Sequence, residues 1–188
     1  RQKQWSRCYR RELFEGEPLK ILHLITRMVR GGAQENTLAT VAGLRARGMD
    51  ARLAAGPSEG PEGSMENDIA AAGIPCARVQ RLVRQPSLWK DLRTLVWLAR
   101  WMRKEKFLIV HTHTSKAGTL GRLAAWMAGV PVVVHTPHGH VFGGYFSAAV
   151  TGWYARMERW LARRTDRLIA LTEKEKEEGD YDFEIIIG

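Results

Sequence analysis

Runs of aliphatic and β-branched residues alternate along the chain with stretches whose apolar positions recur every three to four residues, marking strands and helices in turn. The first run, residues 19–25, leads through a loop over 27–32 into a helix over about 33–47, and residues 51–55 form a weaker second strand. A Gly- and Pro-rich loop over 56–63 ends at Ser64, which suits the N-cap of a helix reaching Ala72, and a third strand follows over 76–79. Next come a long helical segment over 87–106, a strand over 107–111 and a helix over 115–128. A β-branched run over 130–135, a helix over 148–164 and a strand over 167–171 close the series. Strands joined by crossovers long enough to hold helices specify an α/β class, a doubly wound parallel sheet covered on both faces. Ligands of such sheets lie beyond the C-terminal strand ends, where the connection order reverses, so the loops after Ile25, His111 and His135 are the candidate site.

Each loop carries chemistry. Gly31 and Gly32 precede the first helix, where bare backbone and the positive end of the helix dipole suit an anion such as a diphosphate; a glycine-lined structural turn is the plainer use of the pair. The spacing is neither GxGxxG nor GxxxxGK, so a dinucleotide fingerprint and a Walker loop are both absent. After the fourth strand, His111, His113, Thr114, Ser115 and Lys116 run into a helix: Thr114 or Ser115 suits its cap, and Lys116 with the first-turn amides can face an anion, against the alternative of a capped loop with satisfied histidines. The third loop holds Pro137, His138, Gly139 and His140, donors around a freed backbone within reach of a sugar hydroxyl or phosphate. Metal ligation is not expected, since a structural zinc site favours cysteines or a His-x₃-His helical pair and no carboxylate lies near either histidine loop. No G-x-S-x-G elbow is present for a serine nucleophile.

Charge changes the picture of partners. The 29 basic and 20 acidic residues leave a net charge of +9, which needs an anionic counterpart: nucleic acid, a membrane surface or a phosphorylated ligand. No apolar run is long enough to span a bilayer, and no h-region follows the basic opening arm over residues 1–18 to make it a secretory signal. Two distant cysteines, Cys8 and Cys76, form neither a disulfide framework nor a CxxC site and suit a reducing, cytoplasmic setting. On a helical wheel of 87–106, Leu88, Leu92, Leu95, Ala99 and Met102 share one sector, and Trp89, Arg93, Trp97, Arg100, Trp101 and Lys104 another. Tryptophan beside arginine and lysine is the composition of a surface meeting lipid headgroups, and Arg156, Arg159, Arg163 and Arg164 add charge on a later helix; core tryptophans beside a solvated stripe are the alternative. RNP, KH and zinc-finger signatures are absent, so nucleic acid is not the expected partner.

The motifs ILHLIT with RGGAQEN, VHTHTSKAG with LGRLAA, GVPVVVHTPHGHVF and TDRLIALTE, spread over about residues 19–176, resemble the N-terminal domain of retaining family 4 glycosyltransferases, bacterial capsular, exopolysaccharide and O-antigen enzymes among them. The resemblance implies one Rossmann-like half of a two-domain GT-B fold over residues 19–178, the acceptor side. It places Gly31 and Gly32 beside the donor diphosphate and His138 at the donor sugar near the reaction centre. The His111 loop, with Gly139 and His140, would line the cleft. The implied reaction transfers a hexose from a nucleoside-diphosphate sugar to a saccharide acceptor, lipid-linked, with retention; the nucleotide sugar is a co-substrate and no cofactor is expected. The tail over 179–188 departs from the family pattern, and the C-terminal donor domain of the family lies outside these 188 residues. The chain is therefore expected to be a truncated half, inactive by itself, with peripheral attachment to the inner face of the plasma membrane. The alternative is a stand-alone α/β module that binds a nucleotide or sugar phosphate without catalysis.

Overall fold

The computed structural model describes residues 18–58, 60–138, 148–171 and 185–187. Most of the basic arm, most of the tail, and Gly139 and His140 lie outside the described residues. Strands β1 (Lys20–Arg27), β2 (Asp50–Gly56), β3 (Cys76–Arg78), β4 (Ile109–His113), β5 (Val132–Thr136), β6 (Arg167–Ala170) and β7 (Ile185–Ile187) form one parallel sheet in the order β3-β2-β1-β4-β5-β6-β7. The helices are α1 (Gly32–Ala46), α2 (Glu66–Ala71), α3 (Leu88–Glu105), α4 (Ser115–Ala128) and α5 (Ala148–Ala162). The connection order reverses between β1 and β4. That switch point is where a doubly wound sheet presents its ligand crevice.

Strand pleat sorts the core into two layers. Ile21 and Ile25 of β1 and Leu53 of β2 pack with Val41 of α1 and Ile69 of α2, whereas Leu22 and Leu24 face Leu98 and Met102 of α3 and Leu120 and Ala124 of α4. Both helices that follow the crevice strands start without a side-chain cap of their own. For α4 the expected cap from Thr114 or Ser115 is replaced by a distant one: Ala117 N–H donates to Thr26 Oγ1 of β1 at 3.2 Å, and Thr26 Oγ1 lies 3.0 Å from Thr114 Oγ1. Thr114 itself stands at φ 63°, ψ 165°. For a β-branched residue that backbone costs about 1–3 kcal/mol, and the hydroxyl contact with Thr26 and the bond from Thr114 N–H to the Thr136 carbonyl hold it there.

Helix α3 corrects the wheel. Its buried residues are Thr94, Leu98, Ala99 and Met102, with Leu95 against the core margin, while Leu88 at 90% exposure and Leu92 stand in the open. The wheel assigns faces by residue type alone, but here the C-terminal two-thirds of the helix does the docking and the first turn projects past the layer. Trp101 also moves: it packs edge-on against buried Phe107, ring centres 5.3 Å apart, and so belongs to the core margin instead of the outward sector. Trp89, Arg93, Trp97, Arg100 and Lys104 are exposed as expected. At the far edge, Ile185–Ile187 pairs with β6 as a strand that the reading of the tail as mere divergence did not anticipate.

Candidate functional site

Strand β4 runs two residues further than its hydrophobic pattern suggests, because Thr112 and His113 continue the pairing with β5 as far as His113 opposite Thr136. His111 and His113 are therefore strand residues with side chains on one face, and His23 of β1 sits opposite His111 in register. The three rings gather: His23 Nδ1 lies 3.0 Å from His113 Nε2, and the His111 and His113 ring centres are 4.1 Å apart. His113 Nδ1 is in turn 3.0 Å from Nε2 of His138, at the end of β5, and His111 Nε2 meets Thr136 Oγ1 at 2.8 Å. His138 holds φ 57°, a left-handed conformation that costs a non-glycine residue about 1–2 kcal/mol and turns the chain at the mouth of the crevice. A single strained residue joined by hydrogen bond to a buried polar row is how a pre-positioned group is held.

Burial sets the charge of the row. It pushes His23 down to about 4, and it holds His111 and His113 well below the ordinary imidazole range, with neighbouring histidines adding to the effect. These rings are neutral at physiological pH and exchange hydrogen bonds without carrying charge. His135 is also buried and depressed, by burial first and by the Arg122 charge second, but it points to the opposite face of the sheet. There it bonds through Nδ1 to Thr112 and lies directly under Gly118 of α4, where an added Cβ would come 2.4 Å from the ring. The histidines after β4 and β5 thus split by strand parity into two environments.

Two other expectations meet the structure differently. Lys116 does not face the crevice as a free cation: its Nζ pairs with Asp91 of α3 at 2.7 Å and donates to the Gln85 carbonyl. The helix α3 carboxylate reaches it because α3 and α4 pack side by side. Gly31 and Gly32 do open α1 as expected; a Cβ at Gly31 would meet only the movable end of Gln34, and at Gly32 it would meet nothing within 4 Å. Ser115 is exposed at the start of α4. A cavity of about 290 Å³ lies further along the same sheet edge, between the ends of β2 and β3 and helix α2, lined by Met28, Gly56, Ser58, Glu66 and Arg78.

A family model described as "Glycosyl transferase 4-like domain" matches residues 31–178. The chain belongs to this family. A curated relative of this glycosyl transferase 4-like domain is the Escherichia coli UDP-Gal:alpha-D-GlcNAc-diphosphoundecaprenol alpha-1,3-galactosyltransferase, 36% identical over 159 residues that make up 85% of this chain and 40% of that protein. The chain thus spans about two-fifths of that relative's length. Among solved structures, Acinetobacter baumannii MurG superposes with a TM-score of 0.59 at 16% identity, covering 89% of this chain and 45% of that one. UDP-GlcNAc 2-epimerase from Neisseria meningitidis, bound to UDP-GlcNAc, superposes with a TM-score of 0.64 at 14% identity, covering 90% and 46%. The fold is the expected Rossmann-like half of a GT-B architecture. Because that architecture serves transferases and epimerases alike, the fold does not choose between them; the family match does.

Proposed function

We propose that this glycosyl transferase 4-like domain is the N-terminal, acceptor-side half of an enzyme that moves a hexose from a nucleoside-diphosphate sugar to a lipid-linked saccharide, with retention. The observation that carries it is that an open glycine helix start after β1 and a strained, hydrogen-bonded His138 after β5 both lie at the C-terminal end of one parallel sheet. Gly32 is not required by the chain's own packing, and glycine in a helix costs about 1 kcal/mol relative to alanine. A bare helix start is useful where an anion approaches: the first-turn amides and the dipole favour the diphosphate and stabilise the charge that develops as it leaves. His138, fixed through His113, presents its ring to the sugar. The resemblance to the E. coli relative supports a polyprenyl-diphosphate-linked acceptor.

The test is transfer by the complete enzyme, assayed with labelled nucleotide hexoses and a polyprenyl-diphosphate amino sugar. A product whose new linkage keeps the donor's α configuration is expected. Binding of the donor without transfer across a full donor panel would instead identify a non-catalytic nucleotide or sugar-phosphate module.

A lipid-linked acceptor requires the crevice to work at a bilayer. No helix among the described residues is long and apolar enough to cross one. The exposed Leu88, Trp89, Leu92 and Trp97 of α3 stand beside exposed Arg93, Arg100 and Lys104, a surface suited to the cytoplasmic leaflet of the plasma membrane, where indoles sit at headgroup level and cations pair with phosphates. The displaced first turn of α3 strengthens this reading, since no surface among the described residues covers Leu88, which is 90% exposed. Vesicles rich in anionic lipid should float the chain at low salt and release it as salt rises; replacing Trp89 and Leu88 by serine should weaken flotation without altering the circular dichroism spectrum. Equal flotation of that variant would remove the patch from consideration.

A further inference from the structure

The loop over residues 79–87 leaves the end of β3 for the start of α3 and crosses the C-terminal end of the sheet on the way. Its course is pinned along its length. Val79 N–H donates to the Ala55 carbonyl of β2, and the Leu82 side chain is buried in the layer of α3 and α4. Gly56 admits the backbone there: a Cβ on it would run into the carbonyl oxygens of Leu82 and Thr26, so the loop lies against the ends of both β2 and β1. Further on, the Gln85 carbonyl accepts from Lys116 Nζ at the start of α4, and Ser87 N–H donates to Asp91. The loop thus reaches from the β3 edge to the β1–β4 switch point.

This pinned loop holds Arg81 and Arg84 in the open. Neighbouring cations at the same end of the sheet are neutralised: Arg27 by Glu62, Arg30 by Asp68, Arg78 by Glu66 and Lys116 by Asp91. Among the described residues no carboxylate pairs with Arg81 or Arg84. Glu62, the acid whose charge Arg84 feels, is bonded to Arg27. The two arginines are three positions apart, at most about 10 Å along the chain, so their long side chains can meet on one group of two phosphates. A guanidinium pairs with phosphate oxygens through two parallel N–H bonds and stays charged at any working pH.

We propose that Arg81 and Arg84 bind the diphosphate of the lipid-linked acceptor. The assignment rests on the acceptor class given above and adds where on this chain its charged group is held. Two features select this diphosphate over the donor's. Helix α1, whose glycine start is assigned to the donor, packs in the layer of Ile25 and Val41, whereas Leu82 carries the arginine loop into the opposite layer. The loop also leads directly into exposed Leu88 and Trp89, the first of them four residues beyond Arg84 and so within about 14 Å of chain. An anion held by the loop therefore lies between a surface suited to lipid and the crevice. A prenyl-diphosphate sugar has the same order: its chain in the bilayer, its diphosphate at headgroup level and its sugar beyond.

The full chain, free of lipid, is titrated by calorimetry with geranyl diphosphate, a short soluble prenyl diphosphate, and with geranyl monophosphate. The diphosphate should bind more tightly, and Arg81→Gln combined with Arg84→Gln should weaken it by more than about tenfold at an unchanged circular dichroism spectrum. Arg47→Gln combined with Arg167→Gln, an equal loss of exposed charge at the opposite end of the sheet, should leave it within about twofold. In the complete enzyme the loop variant should raise the acceptor KM by more than about tenfold and the donor KM by less than about threefold. Failure of geranyl diphosphate to bind overturns the proposal, and loss of flotation on anionic vesicles in the loop variant would then identify lipid headgroups as the anion. Equal losses in the two double variants overturn it as well. Arginine-dependent binding without transfer to a lipid-linked saccharide keeps the site and removes the reaction; transfer with an unchanged acceptor KM in the loop variant keeps the reaction and removes the site.

Discussion

Replacing His138 by alanine in the complete enzyme should lower the rate of sugar transfer by about 10²–10³-fold, the usual cost of removing one positioned polar group from a site where charge develops. Folding should change little. His138 is only partly buried and contributes the bond to His113 that the structure defines, so the loss in stability is about 1 kcal/mol, or a fall of about 2–4 °C in Tm for a domain of this size. The contrast between the two readouts separates a role at the sugar from a role in the fold. Steady-state transfer and thermal melting of the same preparation measure both, and near-normal turnover would end the assignment. His138→Asn is a useful companion, because asparagine tolerates the left-handed backbone at φ 57° and can donate to His113.

The second large effect is on stability. Arg122 of α4 is buried, its side chain 1% exposed, and its guanidinium pairs with Glu158 of α5 at 2.6–2.7 Å while Nε donates to the Gly118 carbonyl. This pair ties α5 to the layer. Glu158→Gln keeps the shape but leaves a buried cation without its counter-charge, and should cost about 3–5 kcal/mol, read as a lower urea midpoint at unchanged slope. Exchanging both residues for leucine should restore much of that loss, because an uncompensated charge costs more than an absent pair. A single substitution costing less than about 1 kcal/mol would show that solvent reaches Arg122 and that the pair does not fasten the helix.

The periodicity of the chain is sufficient for most strands and helices because the central strands β1 and β5 are largely apolar, as buried parallel strands are. Bounds slipped where polar residues finish a strand: Thr112 and His113 look like loop yet extend β4. The candidate site is read as three loops; the structure joins His111, His113 and His138 in one row and sets Gly31 and Gly32 at the start of α1. What sequence proximity does not convey is face. His135 is adjacent to Thr136 yet points under α4, and His23, buried in the middle of an aliphatic strand, joins the row only through the β1–β4 register. The signal for His23 was available in principle, since a lone histidine within ILHLI breaks an otherwise apolar run. Lys116 and Trp101 were misplaced for a related reason: both answer to the packing of α3, which brings Asp91 to the one and Phe107 to the other.

The sheet order has a consequence for how the chain acquires this crevice during synthesis. Strands β2 and β3 add outward on one side of β1, and β4 to β7 add outward on the other, so every strand after the first joins an edge already made. Nothing has to be inserted between strands already paired. Yet the side of β1 that receives β4 stays unpaired until residue 109 has emerged, well after β2 and β3 have covered its other side. For that interval the nascent protein carries an open strand edge that includes His23, a template for pairing with another chain. Completing β4 therefore does two things in one step: it covers the open side of β1, and it brings His111 and His113 to His23.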